Sequence, residues 1–219
     1  MKKDLTELVF ILDRSGSMQG LTGDTIGGFN SLIEKQRGEK GGCFVSAVLF
    51  NNVSSVLYDR VPLDKIPEMT RKDYQAMGNT ALVDAIGAAI HHIGNVHKYA
   101  RAEDVPEHTL FVIITDGMEN ASHIYTSDKV KSMIERQKSK YGWEFLFIGA
   151  NIDAVETARN FGIAKECAVD YIADPMGTDA VYGAVCSAVS MVRTSAQLSA
   201  DWSEQVSSDY KKRSMKRRK

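Results

Sequence analysis

Cysteine is nearly absent. Cys43, Cys167 and Cys186 form an odd, widely spaced set with no Cys-x-x-Cys pair, which excludes a disulfide framework and a thiolate zinc site. Proline is scarce too: there are four, each where a connection is expected, so the chain is free to run long unbroken elements. No stretch of about 18 apolar residues offers a membrane-spanning helix. The N-terminus, where Lys2 and Lys3 precede Asp4 and Glu7, carries no export-signal pattern, and the expected location is the cytoplasm. Also missing are a Gly-x-x-x-x-Gly-Lys phosphate loop, a Gly-x-Ser-x-Gly nucleophile elbow and a Cys–His pair at suggestive spacing. The common catalytic constellations are thereby excluded.

What is present is an ordinary globular composition, 219 residues with 43% hydrophobic and 25% charged, enough to bury one sizeable core. The net charge of -1 hides an asymmetry. Lys211 to Lys219 hold seven Lys/Arg and no acid, which leaves 20 basic against 28 acidic residues in the rest. Residues 1–200 are expected to form a single domain and 201–219 a flexible basic tail. The tail is a candidate contact for nucleic acid or anionic lipid.

Short apolar runs alternate with helix-period segments, the pattern of an α/β fold with a mainly parallel sheet. Strands are expected at Glu7–Leu12, Cys43–Phe50, Val53–Tyr58, His108–Thr115, Trp143–Gly149 and Glu166–Ile172. The Asn51-Asn52 pair between the second and third tolerates positive φ, suggesting a hairpin and one antiparallel edge strand. Helices are expected from about Asp24 to Arg37, Leu82 to Val96, Thr126 to Tyr141, Asp153 to Phe161 and Thr178 to Leu198. Gly27 and Gly28 each cost a helix about 1 kcal/mol relative to Ala, which points to close packing there.

The chemistry concentrates where strands end. Phe10-Ile11-Leu12 runs into Asp13-Arg14-Ser15-Gly16-Ser17, three short oxygen-bearing side chains at alternate positions on a turn. In an open α/β sheet the ligand crevice lies beyond the carboxyl ends of the strands. The Asp116–Asn120 and Asn151–Asp153 loops leave that edge, and Gly78-Asn79-Thr80 enters a helix from the same side. Asp13, Ser15, Ser17, Thr80 and Asp116 are thus positioned to surround one hard divalent cation with oxygen ligands. Competing explanations exist for several of them: Thr80 at an N-cap, Asp153 in a capping box with Glu156, Glu119 and Asn120 as ordinary loop polarity. His91, His92 and His97 lack an i, i+4 pair and read as a solvated flank.

These pieces resemble the von Willebrand factor type A (VWA) domain, whose pattern is Asp-x-Ser-x-Ser, a Thr in a Gly-x-Thr loop and an Asp in a Thr-Asp-Gly turn. Here they stand as residues 13–17, 78–80 and 115–117, in that order, and the likeness covers about 5–200, most similar to small stand-alone bacterial members. One departure is Met77, where relatives often carry a small residue. The resemblance implies a Rossmann-like doubly wound six-stranded sheet with helices on both faces, and a metal-ion-dependent adhesion site (MIDAS). In that site Ser15, Ser17 and Thr80 would supply hydroxyls to Mg2+ (or Mn2+ or Ca2+), with Asp13 and Asp116 bound directly or through water.

The implied function is that of a non-enzymatic protein-binding module whose metal takes an Asp or Glu carboxylate from a protein partner. Two alternatives remain. In a haloacid-dehalogenase-like phosphatase Asp13 would be the nucleophile, but that motif needs a second Asp where Ser15 stands. A nucleic-acid-associated scaffold would act through Lys211–Lys219.

Overall fold

A computed structural model describes residues 1–194, 198–199 and 201–217, excluding the side chains of 216 and 217. Six strands form one sheet: β1 (Lys2–Asp13), β2 (Gly42–Phe50), β3 (Ser54–Pro62), β4 (Pro106–Thr115), β5 (Glu144–Ala150) and β6 (Ala168–Tyr171). Their order is β3-β2-β1-β4-β5-β6, parallel throughout except for the β2–β3 hairpin. The expected mixed sheet with an antiparallel edge is what forms.

Alternation along β1 splits the core in two. Leu8, Phe10 and Leu12 face α1 (Thr22–Arg37) and α5 (Pro175–Arg193). Val9 and Ile11 face α2 (Leu82–Tyr99), α3 (Ser127–Tyr141) and α4 (Ala154–Asn160). A strand apolar on both faces can only be central, because a face left open would strand Val, Ile and Phe in water. On the first face α1 and α5 meet so closely that a Cβ on Gly28 would lie 2.3 Å from the Tyr182 ring, which accounts for that glycine inside a helix. Nothing comparable approaches Gly27.

Three expectations need correcting. The hairpin turns without positive φ at Asn51 or Asn52; the Asn51 side chain closes it instead, with Oδ1 accepting from Val53 N at 3.2 Å. The domain does not stop at residue 200. Trp202 and Val206 are buried, Trp202 Nε1 donates to the Glu166 carbonyl at 2.7 Å, and α6 (Glu204–Arg217) packs on α5 and β6. Apolar residues spaced four apart inside a polar segment are enough to dock it, so Lys211–Arg217 belong to a helix; Arg218 and Lys219 lie outside the described residues, as do 195–197 of the helix expected to reach Leu198. Finally, His97 is no solvated flank: its side chain is 10% exposed, with Nε2 3.3 Å from the carboxylate of buried Glu7, which also pairs with Arg60 at 2.8 Å. His91 and His92 are exposed as expected.

Candidate metal centre

The chain lays β1, β2 and β3 to one side, then returns to place β4, β5 and β6 on the other. The gap between the β1 and β4 ends is therefore the switch point of the sheet, where the loops diverge and leave a crevice. Asp13 ends β1 and Thr115 ends β4; the Leu12–Ile114 pairing sets them side by side. The Thr115 hydroxyl accordingly donates to Asp13 Oδ2 at 2.6 Å, while Asp13 Oδ1 accepts from Ser15 N at 2.7 Å. The carboxylate is held from both sides.

The remaining oxygens gather around it. Ser15 Oγ and Ser17 Oγ are 3.1 Å apart, and Ser17 Oγ donates to Asp116 Oδ1 at 2.6 Å. Thr80 joins from the third loop: a Cβ built on Gly117 would lie 3.3 Å from Thr80 Oγ1 and 3.9 Å from Ser17 Oγ. All five expected residues thus come together. Asp13, Ser15, Thr80 and Asp116 are buried and Ser17 is exposed, so the cluster opens to solvent on one side only.

Capping does not explain the hydroxyls. Ser15 precedes a 3-10 turn and makes no side-chain cap bond, and the α2 N-terminus is not capped by Thr80. That end is capped by Glu119, whose Oε2 accepts from Val83 N at 2.7 Å. Asp153, in contrast, does cap α4, accepting from Glu156 N at 2.8 Å. It takes no part in the cluster.

Charge makes the case for a cation. Burial raises the pKa of Asp13 against the hydrogen bonds from Thr115 and Ser15, and Asp116 is raised by burial and then by the negative charge of Asp13. No Lys or Arg offsets either of them among the described residues. Two desolvated carboxylates beside three hydroxyls form an all-oxygen donor set, which fits Mg2+, Mn2+ or Ca2+ and neither a thiolate-bound nor an imidazole-bound metal.

Sequence reasoning missed the residues that brace the site. Tyr74 is buried in the irregular segment before the Gly78 loop, and its hydroxyl donates to the Asp13 carbonyl. Asn120 clasps Thr80 twice: its Oδ1 accepts from Thr80 N at 2.9 Å and its N donates to Thr80 O at 3.0 Å. Asn52 Oδ1 accepts from Asn79 N at 2.9 Å, which requires Gly78, because a Cβ there would sit 2.1 Å from that oxygen and φ is 79°. Of these, Glu119 and Asn120 were visible in sequence as rim polarity, but their partners lie about 40 residues away.

The fold recurs among solved structures at low sequence identity. The mussel byssus proximal thread matrix protein 1, in a structure described as having a zinc-occupied MIDAS motif, is 15% identical over 84% of this chain and 46% of its own, with a TM-score of 0.58. A von Willebrand factor type A protein from Catenulispora acidiphila is 16% identical over 85% and 42%, with a TM-score of 0.55. Manganese-loaded TRAP protein of Plasmodium vivax is 19% identical over 68% and 59%, with a TM-score of 0.50.

The chain has the fold of a von Willebrand factor type A domain. It spans about half the length of the solved structures it matches. No protein-family model and no curated protein matches the sequence.

Proposed function

We propose that the chain is a metal-dependent protein-binding module, with Asp13, Ser15, Ser17, Thr80 and Asp116 holding a divalent cation, Mg2+ or Mn2+ foremost. The observation that carries this reading is the pair of buried carboxylates converging with three hydroxyls, with no Lys or Arg offsetting their charge among the described residues. A bound ion would supply positive charge that the donor set does not fully cancel, and so attract an anionic oxygen from outside. The residues do the rest. Thr115 and Ser15 N fix the Asp13 carboxylate, Asn120 fixes Thr80, and Ser17 stands at the open side through which a partner's Asp or Glu would approach. Met77 and Met118 are exposed on the flanking loops, where their flexible thioethers suit contact with a protein surface.

Turnover is not part of this reading, because Ser15 stands where the phosphatase motif needs a second Asp. The module is proposed to bind without catalysis, and no observation favours the phosphatase alternative.

Affinity capture on the immobilised full chain, from a lysate of its source cells, tests the reading. Proteins retained in Mg2+ should be released by EDTA and absent from Asp13→Ala. Identical protein sets in all conditions would overturn it.

A further inference from the structure

The last helix ends on the same edge of the sheet as the Asp13 cluster. Strand register carries one level across the sheet: Leu12 pairs with Ile114, Ile114 with Ile148, and Ile148 with Val169. Asp13 directly follows Leu12 and Asp116 comes two residues after Ile114, so the cluster stands just above that level. The α6 segment starts below it and finishes above it. Its anchor Trp202 donates to the Glu166 carbonyl before β6 begins, whereas Arg213 donates to Asp174, beyond the end of β6, at 2.7 Å.

The cations of the chain end travel with the helix. Arg213 is engaged by Asp174 and, at 2.6 Å, by Asp209, which fixes the end of α6 in place. Lys211 and Lys212 are exposed, and neither forms an ion pair among the described residues. Beyond Arg213 the helix runs four more residues to Arg217, about 6 Å. Outside Lys211–Lys219 the chain holds 28 acids against 20 bases, so this end is a local reversal of sign. Because Trp202, Val206 and Arg213 dock the helix, its cations are presented in advance and cost a partner little ordering.

We propose that the partner is an acidic protein segment: one Asp or Glu reaches the metal, and further acids lie against Lys211, Lys212 and the end of α6. This rests on the metal-dependent reading of the Asp13 cluster and adds the partner's chemistry to it. In the sheet β6 stands two places from β4 and three from β1. With strands about 4.8 Å apart, the lateral separation is about 10–14 Å, which three or four extended residues span. One chemistry, the carboxylate, then serves both contacts. Met118 after β4 and Met176 after β6 are exposed on the same edge, offering apolar contact to peptide side chains that a phosphate backbone would not use.

The test uses the full chain and two fluorescein-labelled peptides about twelve residues long: oligoglutamate, and a Gly-Ser peptide carrying one central Glu. By fluorescence anisotropy in Mg2+, wild type should bind oligoglutamate about tenfold more tightly, a preference that added salt shrinks. Lys211→Glu/Lys212→Glu, with an unchanged near-UV circular dichroism spectrum, should erase the preference. Asp13→Ala and EDTA should weaken binding of both peptides. Equal binding of the two by wild type, or a preference retained in the double variant, would overturn the inference and leave the metal reading standing. Peptide binding indifferent to both EDTA and Asp13→Ala would overturn the two together. Tighter binding of an oligothymidylate of similar length would assign the cations to nucleic acid and overturn the inference.

Discussion

Thr115→Val is the most revealing single change at the candidate metal centre. Valine has nearly the shape of threonine, so packing at the end of β4 is preserved while the hydroxyl is removed. Asp13 Oδ2 then loses its donor at 2.6 Å while the side chain stays buried. A hydrogen bond to a charged group contributes about 1.5–3 kcal/mol, and leaving its acceptor buried and unsatisfied costs a similar amount, so about 2 kcal/mol of stability should be lost at pH 7.

The sign of the pH dependence follows from Asp13. Its folded pKa is already raised by burial, and the Thr115 bond opposes that rise, so the variant's pKa rises further. A carboxylate with a raised folded pKa destabilises the fold when ionised. In the metal-free protein stability should therefore rise as pH falls through the folded pKa toward 3.8, and fall again as pH rises through it. The difference between variant and wild type should accordingly shrink toward acid, where a protonated Asp13 no longer needs the donor. Urea denaturation of both proteins in EDTA, at several pH values between neutrality and acid, reads the effect directly. In Mg2+ the variant should also bind the ion about 10–100-fold more weakly, the usual consequence of losing a ligand's orienting partner. A variant with wild-type stability, pH profile and metal affinity would refute this account of Asp13.

Other changes separate binding from folding. Asp116→Asn keeps an acceptor for Ser17 and removes a buried charge beside Asp13, so the metal-free protein should gain about 1 kcal/mol while stabilisation by Mg2+ disappears; thermal melts with and without the ion show both. Glu119→Ala uncaps α2 and frees the loop that clasps Thr80, costing about 1–2 kcal/mol in denaturant titrations and weakening metal binding without touching a ligand. Trp202→Ala should cost about 3–5 kcal/mol and release α6 to proteolysis, while leaving metal affinity within a factor of about two. If Trp202→Ala melts like wild type, α6 is not part of the folded unit.

The central strands and the oxygens of the candidate site could be found in the sequence because both are local patterns. Leu8 to Leu12 is apolar at every position, and Asp13-x-Ser15-x-Ser17 repeats oxygen at alternate positions. The bracing was not legible, since each brace joins distant segments: Thr115 reaches Asp13 across 102 residues, and Tyr74 reaches it across 61. Glu119 and Asn120 show what polarity alone conceals. In sequence they are two loop residues, whereas in the fold they cap α2 and hold Thr80. The final helix was missed for another reason: seven cations near the end outweighed Trp202 and Val206, the residues that dock it. His97 and Glu7 escaped because a carboxylate in a central strand is buried only when partners from β3 and α2 meet it.

Titration calorimetry of the full chain with Mn2+ and with Mg2+, for wild type, Asp13→Ala and Thr80→Ala, tests the central claim most directly. The account predicts one saturable site in wild type, absent from Asp13→Ala and much weakened in Thr80→Ala, with both variants folded. Equal binding by all three proteins would contradict it, as would no binding by wild type.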